Sequence, residues 1–192
     1  YIEIIQESGE RMLNTVNDII DISKIDAGQV TVSEHNVNIH DEINSQYEFF
    51  NEEASAKGIE LMLINQLPKK ETIITDKVKL SSILSNLIEN AIKYTDIGSI
   101  KILSKKKGST FEFTISDTGI GIPKNRIKSI FNRFEQADIK DKHARQGSGL
   151  GRAITKAYVE MLGGSIDVES TLENRQAGKA GGSTFYVTLP WI

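Results

Sequence analysis

Residues 76 to 94 run DKVKLSSILSNLIENAIKY, and this stretch constrains the fold more than any other. On a helix, Leu80, Ile83, Leu84, Leu87 and Ala91 fall on one side at about 100° per residue, so the chain must supply an apolar surface to cover them. Asn86, Asn90 and Lys93 share a different side, roughly 130° around. Amides are mediocre helix formers and poor core residues. Two of them one turn apart beside a buried face therefore call for a chemical reason.

Strand patterns on both sides provide the surface. "IELMLI" (59–64) and "IIT" (73–75) precede the helix, with the turn "LPKKET" (67–72) between them, and "SIKILSKKK" and "STFEFTISD" follow it, paired across Gly108. A loop with a short helix is expected next, then the polar stretch 136–146 and a helix over 149–162. "SIDVES" and "STFYVTLP" close the chain, joined by "TLENRQAGKAGG". Upstream, 39–57 reads as a helix ending at Lys57-Gly58, and 30–38 as an extended linker or first strand. Residues 1–26 read as a long helix: Ile5, Met12 and Ile19 are seven apart, Val16 and Ile22 widen the stripe, and Gly28 caps it. There are no internal repeats. The pattern predicts an α/β (α+β) two-layer sandwich, a mixed and mostly antiparallel sheet with helices on one face, preceded by one long helix.

Composition narrows the chemistry. The 192 residues suffice for one substantial core and an appendage. A net charge of −3 gives no overall signal for nucleic acid or an anionic membrane. The absence of cysteine excludes disulfides and thiolate metal sites and fits a reducing compartment. No apolar run approaches the roughly 18 residues that span a bilayer, so no membrane contact is expected of this stretch. The chain begins at Tyr1 rather than Met and reads as part of a longer protein.

Five motifs carry candidate chemistry. Amide oxygens are hard, neutral ligands suited to Mg²⁺; Asn86 and Asn90 at i and i+4 can reach one ion, and Lys93 can meet a phosphate oxygen. "SDTGIGIP" (116–123) places Asp117 at a strand end, where a carboxylate can accept from an exocyclic amine. Gly119 and Gly121 there let the backbone approach a flat ring or adopt positive φ. "GSGLGRAI" (147–154) opens a helix with glycines at alternate positions, fit to hold phosphates on free N–H groups. It is neither a Walker loop nor a dinucleotide fingerprint. "IFNRFEQ" (130–136) spaces Phe131 and Phe134 as on a helix, and "GGSTF" (181–185) brings Ser183 and Thr184 into the last strand. Taken singly, each has a plainer reading: a solvated face, a turn, a hinge, core anchors, a hairpin closure.

In this order the motifs resemble the catalytic ATP-binding domain of sensor histidine kinases, of the Bergerat-fold or GHKL class. "TDKVKLSSILSNLIENAIKYT" resembles its N box, "DTGIG" its first glycine box, "IFNRFEQ" its F box, "GSGLGRAI" its second glycine box and "GGSTFYVTLP" its closing strand. The likeness covers about 40–192. Residues 1–29, ending in "NDIIDISKIDAGQ", resemble the second helix of the family's dimerisation and phosphotransfer hairpin, with 30–39 as linker.

The resemblance implies ATP and Mg²⁺. Asn90 and Asn86 would hold the metal, Lys93 would contact phosphate and Tyr94 would border the adenine. Asp117 would read the adenine amine, with Gly119, Gly121 and Ile122 beside the ring and Phe131 in the F box. Gly147, Ser148, Gly149, Leu150 and Gly151 would cover the phosphates, and Thr184 would support the adenine end. Residues 136–146 would form a lid, from which Lys140, Lys142 and Arg145 could approach the γ-phosphate. The implied partners are a second copy, through the N-terminal hairpin, and a response regulator or receiver domain, in the cytoplasm, with or without a membrane-anchored parent.

Position 86 sorts the class. Relatives that hydrolyse ATP carry a glutamate there to activate water; Asn86 is no base, which favours transfer to a protein acceptor. Glu89 lies about 60–80° off the amide face and is a candidate general base for that acceptor. The family's acceptor is a histidine in an H-E-x-x-x-P-like setting. None of His35, His40 and His143 has one, so the chain is not expected to phosphorylate itself. Arg152 stands where the family usually has leucine, and Gln136 where some members have arginine. The other readings are a non-catalytic nucleotide-binding or interaction module signalling through helix 1–26, and a GHKL ATPase.

Overall fold

The structure is a computed structural model that describes residues 2–133, 149–173 and 180–191. Its elements, in chain order, are α1 (Ile2–Asp26), β1 (His35–Val37), α2 (Ile39–Ala56), β2 (Ile59–Asn65), β3 (Ile73–Thr75), α3 (Lys77–Tyr94), β4 (Gly98–Lys107), β5 (Thr110–Asp117), α4 (Gly151–Met161), β6 (Ser165–Thr171) and β7 (Gly182–Pro190). The main sheet has the order β2-β4-β5-β7-β6. Only β2 and β4 are parallel, joined through the β3–α3 crossover that a parallel pair requires. The other neighbours are antiparallel. β1 and β3 form a separate antiparallel ribbon, so the stretch 30–38 is linker in its first part and strand in its last. The two-layer, mixed and mostly antiparallel sandwich is the expected one.

Strand alternation makes the sheet's buried face. Phe111, Phe113 and Ile115 of β5 and Phe185, Val187 and Leu189 of β7 point into the core, where they meet Leu80, Ile83, Leu84, Leu87 and Ala91 of α3. The α3 stripe read from sequence is thus the buried one. α2 adds Ile39, Ile43, Phe50 and Ala54. Its N-cap Asn38 accepts from the Asp41 N–H at 3.2 Å, and acidic Asp41 and Glu42 suit the positive helix start.

Asp76 caps α3 and does more. Its carboxylate accepts from the Lys79 N–H at 3.1 Å, the Lys79 Nζ at 2.6 Å and the Ser33 N–H at 2.9 Å. Lys79 Nζ also donates to the Thr31 carbonyl at 2.8 Å, so one buried ion pair ties the linker after α1 to the start of α3. Burial alone would raise the Asp76 carboxyl, but these donors outweigh it and hold it below its ordinary 3.8. A carboxyl depressed in the folded state stabilises above its unfolded value and loses that contribution as pH falls through the folded one. Asp76→Asn keeps a capping oxygen but strips the buried lysine of its counter-charge. It is expected to cost about 2 kcal/mol at pH 7, read from urea midpoints. The gap to wild type should close as pH falls below 3.8.

A smaller cluster holds α1 to the domain. Ile22 packs with Leu150, Ala153 and Ile154, flanked by Ile25 and Tyr158, and Arg133 forms a bidentate ion pair with Asp26. Further up α1, Met12, Leu13, Val16, Ile19 and Ile20 are exposed.

The expected short helix after Pro123 does not form among the described residues. The segment instead makes successive three-residue returns, Arg126 N–H to Pro123, Ser129 to Arg126 and Asn132 to Ser129, with a single four-residue return from Ile130. It is too short to offset helix nucleation, and it is anchored by Ile130, which is buried, and by Phe131 edge-on to Phe185.

Candidate functional site

α3 ends at the floor of a cavity. The Tyr94 carbonyl accepts from the Ile120 N–H at 3.1 Å, which brings the loop after β5 under the helix terminus. Two bonds pin that loop to the end of β6: Ile122 N–H to Ser170 Oγ at 2.7 Å, and Glu173 N–H to the Ile120 carbonyl at 2.9 Å. Gly119 is required here, because a Cβ would lie 2.2 Å from the Tyr94 oxygen and 2.9 Å from Asp117 Oδ1. The cavity above is lined from α3 by Asn90, Ala91 and Tyr94, from the loop by Gly121, Ile122 and Pro123, and from the sheet by Asp117, Ser183 and Phe185. Arg126, Ile130 and Arg152 complete the lining.

Asp117 is oriented by the sheet register, which pairs it with Ser183. Its Oδ1 accepts from the Gly119 N–H at 2.9 Å and the Ser183 N–H at 3.2 Å. Burial pushes its carboxyl up, against the pull of those two donors. Both bonds fall on one oxygen, so Oδ2 is left for a ligand.

Asn90 also lines the cavity. Its Nδ2 donates to the Asn86 carbonyl at 2.6 Å, which turns Oδ1 away from its own helix as the remaining acceptor. Asn86 sits one turn back, against the start of α4: a Cβ on Gly151 would lie 3.3 Å from Asn86 Oδ1. The amides thus face the cavity and the second glycine box respectively. α4 opens at Leu150 with no side-chain cap, after Gly149 at a φ of 73°. The N-cap side chain, a leucine, offers its first N–H groups no acceptor. Among the described residues no group of three or more His, Cys, Asp or Glu could hold a metal ion. A hard cation here would rest on the two amide oxygens together with oxygens of its ligand, and that donor set suits Mg²⁺.

Other expected residues lie elsewhere. Lys93 does not line the cavity; its Nζ sits 5.0 Å from the centroid of the Tyr94 ring. Leu150 is fully buried and packs on Ile22, so its side chain does not face the cavity. Phe131 backs the wall by packing on Phe185, with ring centroids 6.4 Å apart. Thr184 points to the opposite face of the sheet, where its hydroxyl donates to Ser116 Oγ at 3.1 Å. Its neighbour Ser183 is at the cavity, as the two-residue period of a strand dictates. Glu89 is exposed. Local desolvation, then the Glu53 and Asp18 carboxylates, raise its carboxyl against the pull of Lys93. His35 bonds Ser33 and His40 bonds Asn44, both away from the cavity. Phe134, Gln136, Lys140, Lys142, His143, Arg145, Gly147 and Ser148 lie outside the described residues.

Sequence reasoning missed Arg126, Ile130 and Ser170. Arg126 follows Pro123 by one turn, and nothing in its neighbours marks which way it faces. Ser170 is one of several serines near strand ends; only the pairing of β6 with β7 shows that it bridges the loop, the Gly182 carbonyl and Ser183.

A family model for histidine kinase-, DNA gyrase B- and HSP90-like ATPases matches residues 75–191, from the strand before α3 to the end of β7. The chain belongs to this family. Within it, the chain is the ATP-binding catalytic domain of the sensor histidine kinase branch. It is 36% identical, over 98% of its length, to the autoinducer 2 sensor kinase/phosphatase LuxQ of Vibrio vulnificus, and spans 22% of that protein. It is similar to full-length ShkA, crystallised in complex with AMPPNP, at a TM-score of 0.82 and 27% identity, covering 100% of this chain and 38% of ShkA. The catalytic domain of histidine kinase ThkA aligns at a TM-score of 0.68 and 25% identity, over 83% of this chain and 96% of that domain. ThkA in complex with the response regulator TrrA shares the fold at a TM-score of 0.72 and 22% identity, over 100% of this chain and 51% of ThkA.

Proposed function

We propose that this histidine kinase domain binds Mg²⁺·ATP in the cavity beneath α3 and passes the γ-phosphoryl group to a histidine on a helix that this sequence does not include. The observation that carries the reading is the side chain at position 86. An amide, not a carboxylate, meets the first residue of α4. A hydrolytic enzyme needs a base there to activate water, and Asn86 is not one.

The remaining assignments extend that reading. Asp117 Oδ2 accepts from the adenine amine while the Gly119 and Ser183 N–H groups fix the carboxylate plane. Gly119, Gly121, Ile122 and Tyr94 border the ring, and Ser183 takes the supporting place first expected of Thr184. The start of α4 and the glycines before it receive phosphate. Lys93 reaches the same phosphates from its place beside Tyr94, and residues 136–146 are the lid. Asn90 and Asn86 would hold Mg²⁺, which when bound neutralises charge on the transferring phosphoryl group. Glu89 is exposed with a raised carboxyl, which suits it to serve as base for an acceptor brought in by the hairpin.

We assign residues 1–29 to the second hairpin helix, 30–39 to the linker and 40–192 to the catalytic domain. The exposed stripe of Met12, Val16 and Ile19 favours a homodimer through the hairpin. ThkA's complex with TrrA supports a response regulator or receiver domain as the downstream partner, and ATP chemistry of this kind belongs in the cytoplasm. No described helix is long and apolar enough to cross a membrane.

The test supplies a separate hairpin carrying the acceptor histidine together with radiolabelled ATP. Label should appear on the hairpin in an acid-labile, base-stable form. Steady release of inorganic phosphate by the domain alone, with no label on the hairpin, would make it an ATPase instead.

A further inference from the structure

We propose that Arg152 is a phosphate-binding residue of this nucleotide site, a cation supplied from the first turn of α4. The inference rests on the ATP reading above and assigns a side chain that the glycine-box resemblance leaves without a role.

Three observations converge on it. Arg152 lines the same cavity as Asn90 and Asp117. It is the second residue of α4, next to Gly151 and hence beside Asn86, where the helix start has no side-chain cap. It falls on the helix face of Thr155 and Val159, both buried, so its stem is directed inward rather than to solvent. Yet among the described residues no carboxylate or carbonyl accepts from its guanidinium. The residue is partly buried, and guanidinium donors that no protein acceptor takes up are open to an anion in the cavity. Its neighbours are informative in the same way: Asp117 is engaged through Oδ1 by two N–H donors rather than by Arg152, and Lys93 rests over the Tyr94 ring. With Arg126, Arg152 is thus one of two cations that the fold holds at the cavity wall, and the one that stands at the start of α4. The planar fork suits two phosphate oxygens at once, which a leucine cannot offer and a lysine offers only as a point charge.

The experiment is calorimetric titration of the whole 192-residue chain with Mg²⁺·ADP and with adenosine, for wild type, Arg152→Leu and Arg152→Lys. The expected result is a loss of about tenfold to a hundredfold in ADP affinity for Arg152→Leu, the range for a hydrogen-bonded charge pair. Adenosine affinity should be unchanged, and Arg152→Lys should recover part of the loss. Leucine is as good a helix former as arginine, and no described residue loses a hydrogen bond or ion pair from the guanidinium, so the fold should be kept. Equal ADP affinity in wild type and Arg152→Leu would overturn the inference while leaving the ATP site intact. A parallel loss of adenosine affinity would also overturn it, by showing a general disturbance of the cavity. Wild type that binds neither ligand would instead bring down the ATP reading, and this inference with it.

Discussion

Asn90→Ala is expected to lower Mg²⁺·ADP affinity about a hundredfold while leaving adenosine affinity within a few-fold of wild type. The amide Nδ2 is committed to the Asn86 carbonyl, so the oxygen it leaves outward is the only atom the side chain can offer a cation. Losing an interaction of about 3 kcal/mol with a charged partner corresponds to two decades of affinity. The substitution should not disturb the fold. Leu87 and Ala91, which bury the helix, are untouched, and alanine is the better helix former by a few tenths of a kcal/mol. Asn90→Asp separates metal from phosphate. A carboxylate still ligates Mg²⁺, so binding should survive with the ion present. In EDTA it should fall well below wild type, because the new charge then faces phosphate alone. Titration of the three proteins with and without EDTA reads both effects. If Asn90→Ala binds Mg²⁺·ADP as tightly as wild type, the amide is not the grip on the metal.

Much of this was legible because the signals were periodic. The α3 stripe and the strand pair around Gly108 each depend on residues close in sequence, and local geometry carries them directly into the structure. The amides of α3 were legible for the same reason: their i, i+4 spacing fixes where they point before any packing is known. What stayed hidden depends on register or on long-range anchoring. Whether Ser183 or Thr184 meets the cavity turns on a one-residue phase of β7, which is set by its pairing with Asp117 across 66 positions. The turns after Pro123 read as a helix until Phe185 and the core claim Phe131 and Ile130. Lys93 follows its helical phase, yet its flexible stem lets the ammonium settle on the Tyr94 ring. Arg152 shares a helix face with Thr155 and Val159, but only the cavity shows what its head group meets.

Gly121→Ala is expected to be the most damaging small substitution in the chain, at about 4 kcal/mol or by outright detachment of the loop. The residue has a φ of 74°, and a Cβ would lie 1.9 Å from the Thr171 carbonyl oxygen and 3.0 Å from Leu172 Cα. Both neighbours are backbone, so no rotamer change relieves the overlap. The loop cannot drift either, because Ile120 and Ile122 are hydrogen-bonded to Glu173 and Ser170 on either side of it. Relief means breaking both bonds, each worth about 1 kcal/mol net, on top of the left-handed strain of about 1–2 kcal/mol. Gly28→Ala provides the control. Its φ of 63° demands the same left-handed backbone, but nothing lies within 4 Å of the added methyl, so only the conformational part of the cost should appear. The difference between the two variants in denaturant midpoint isolates the contact of the loop with β6. If the loop detaches without unfolding the domain, the Ile122 amide should lose its exchange protection and ADP binding should vanish, since Ile122 and Asp117 line the same cavity. Equal midpoints for the two variants, with Ile122 still protected, would mean that β6 does not hold the floor of the site.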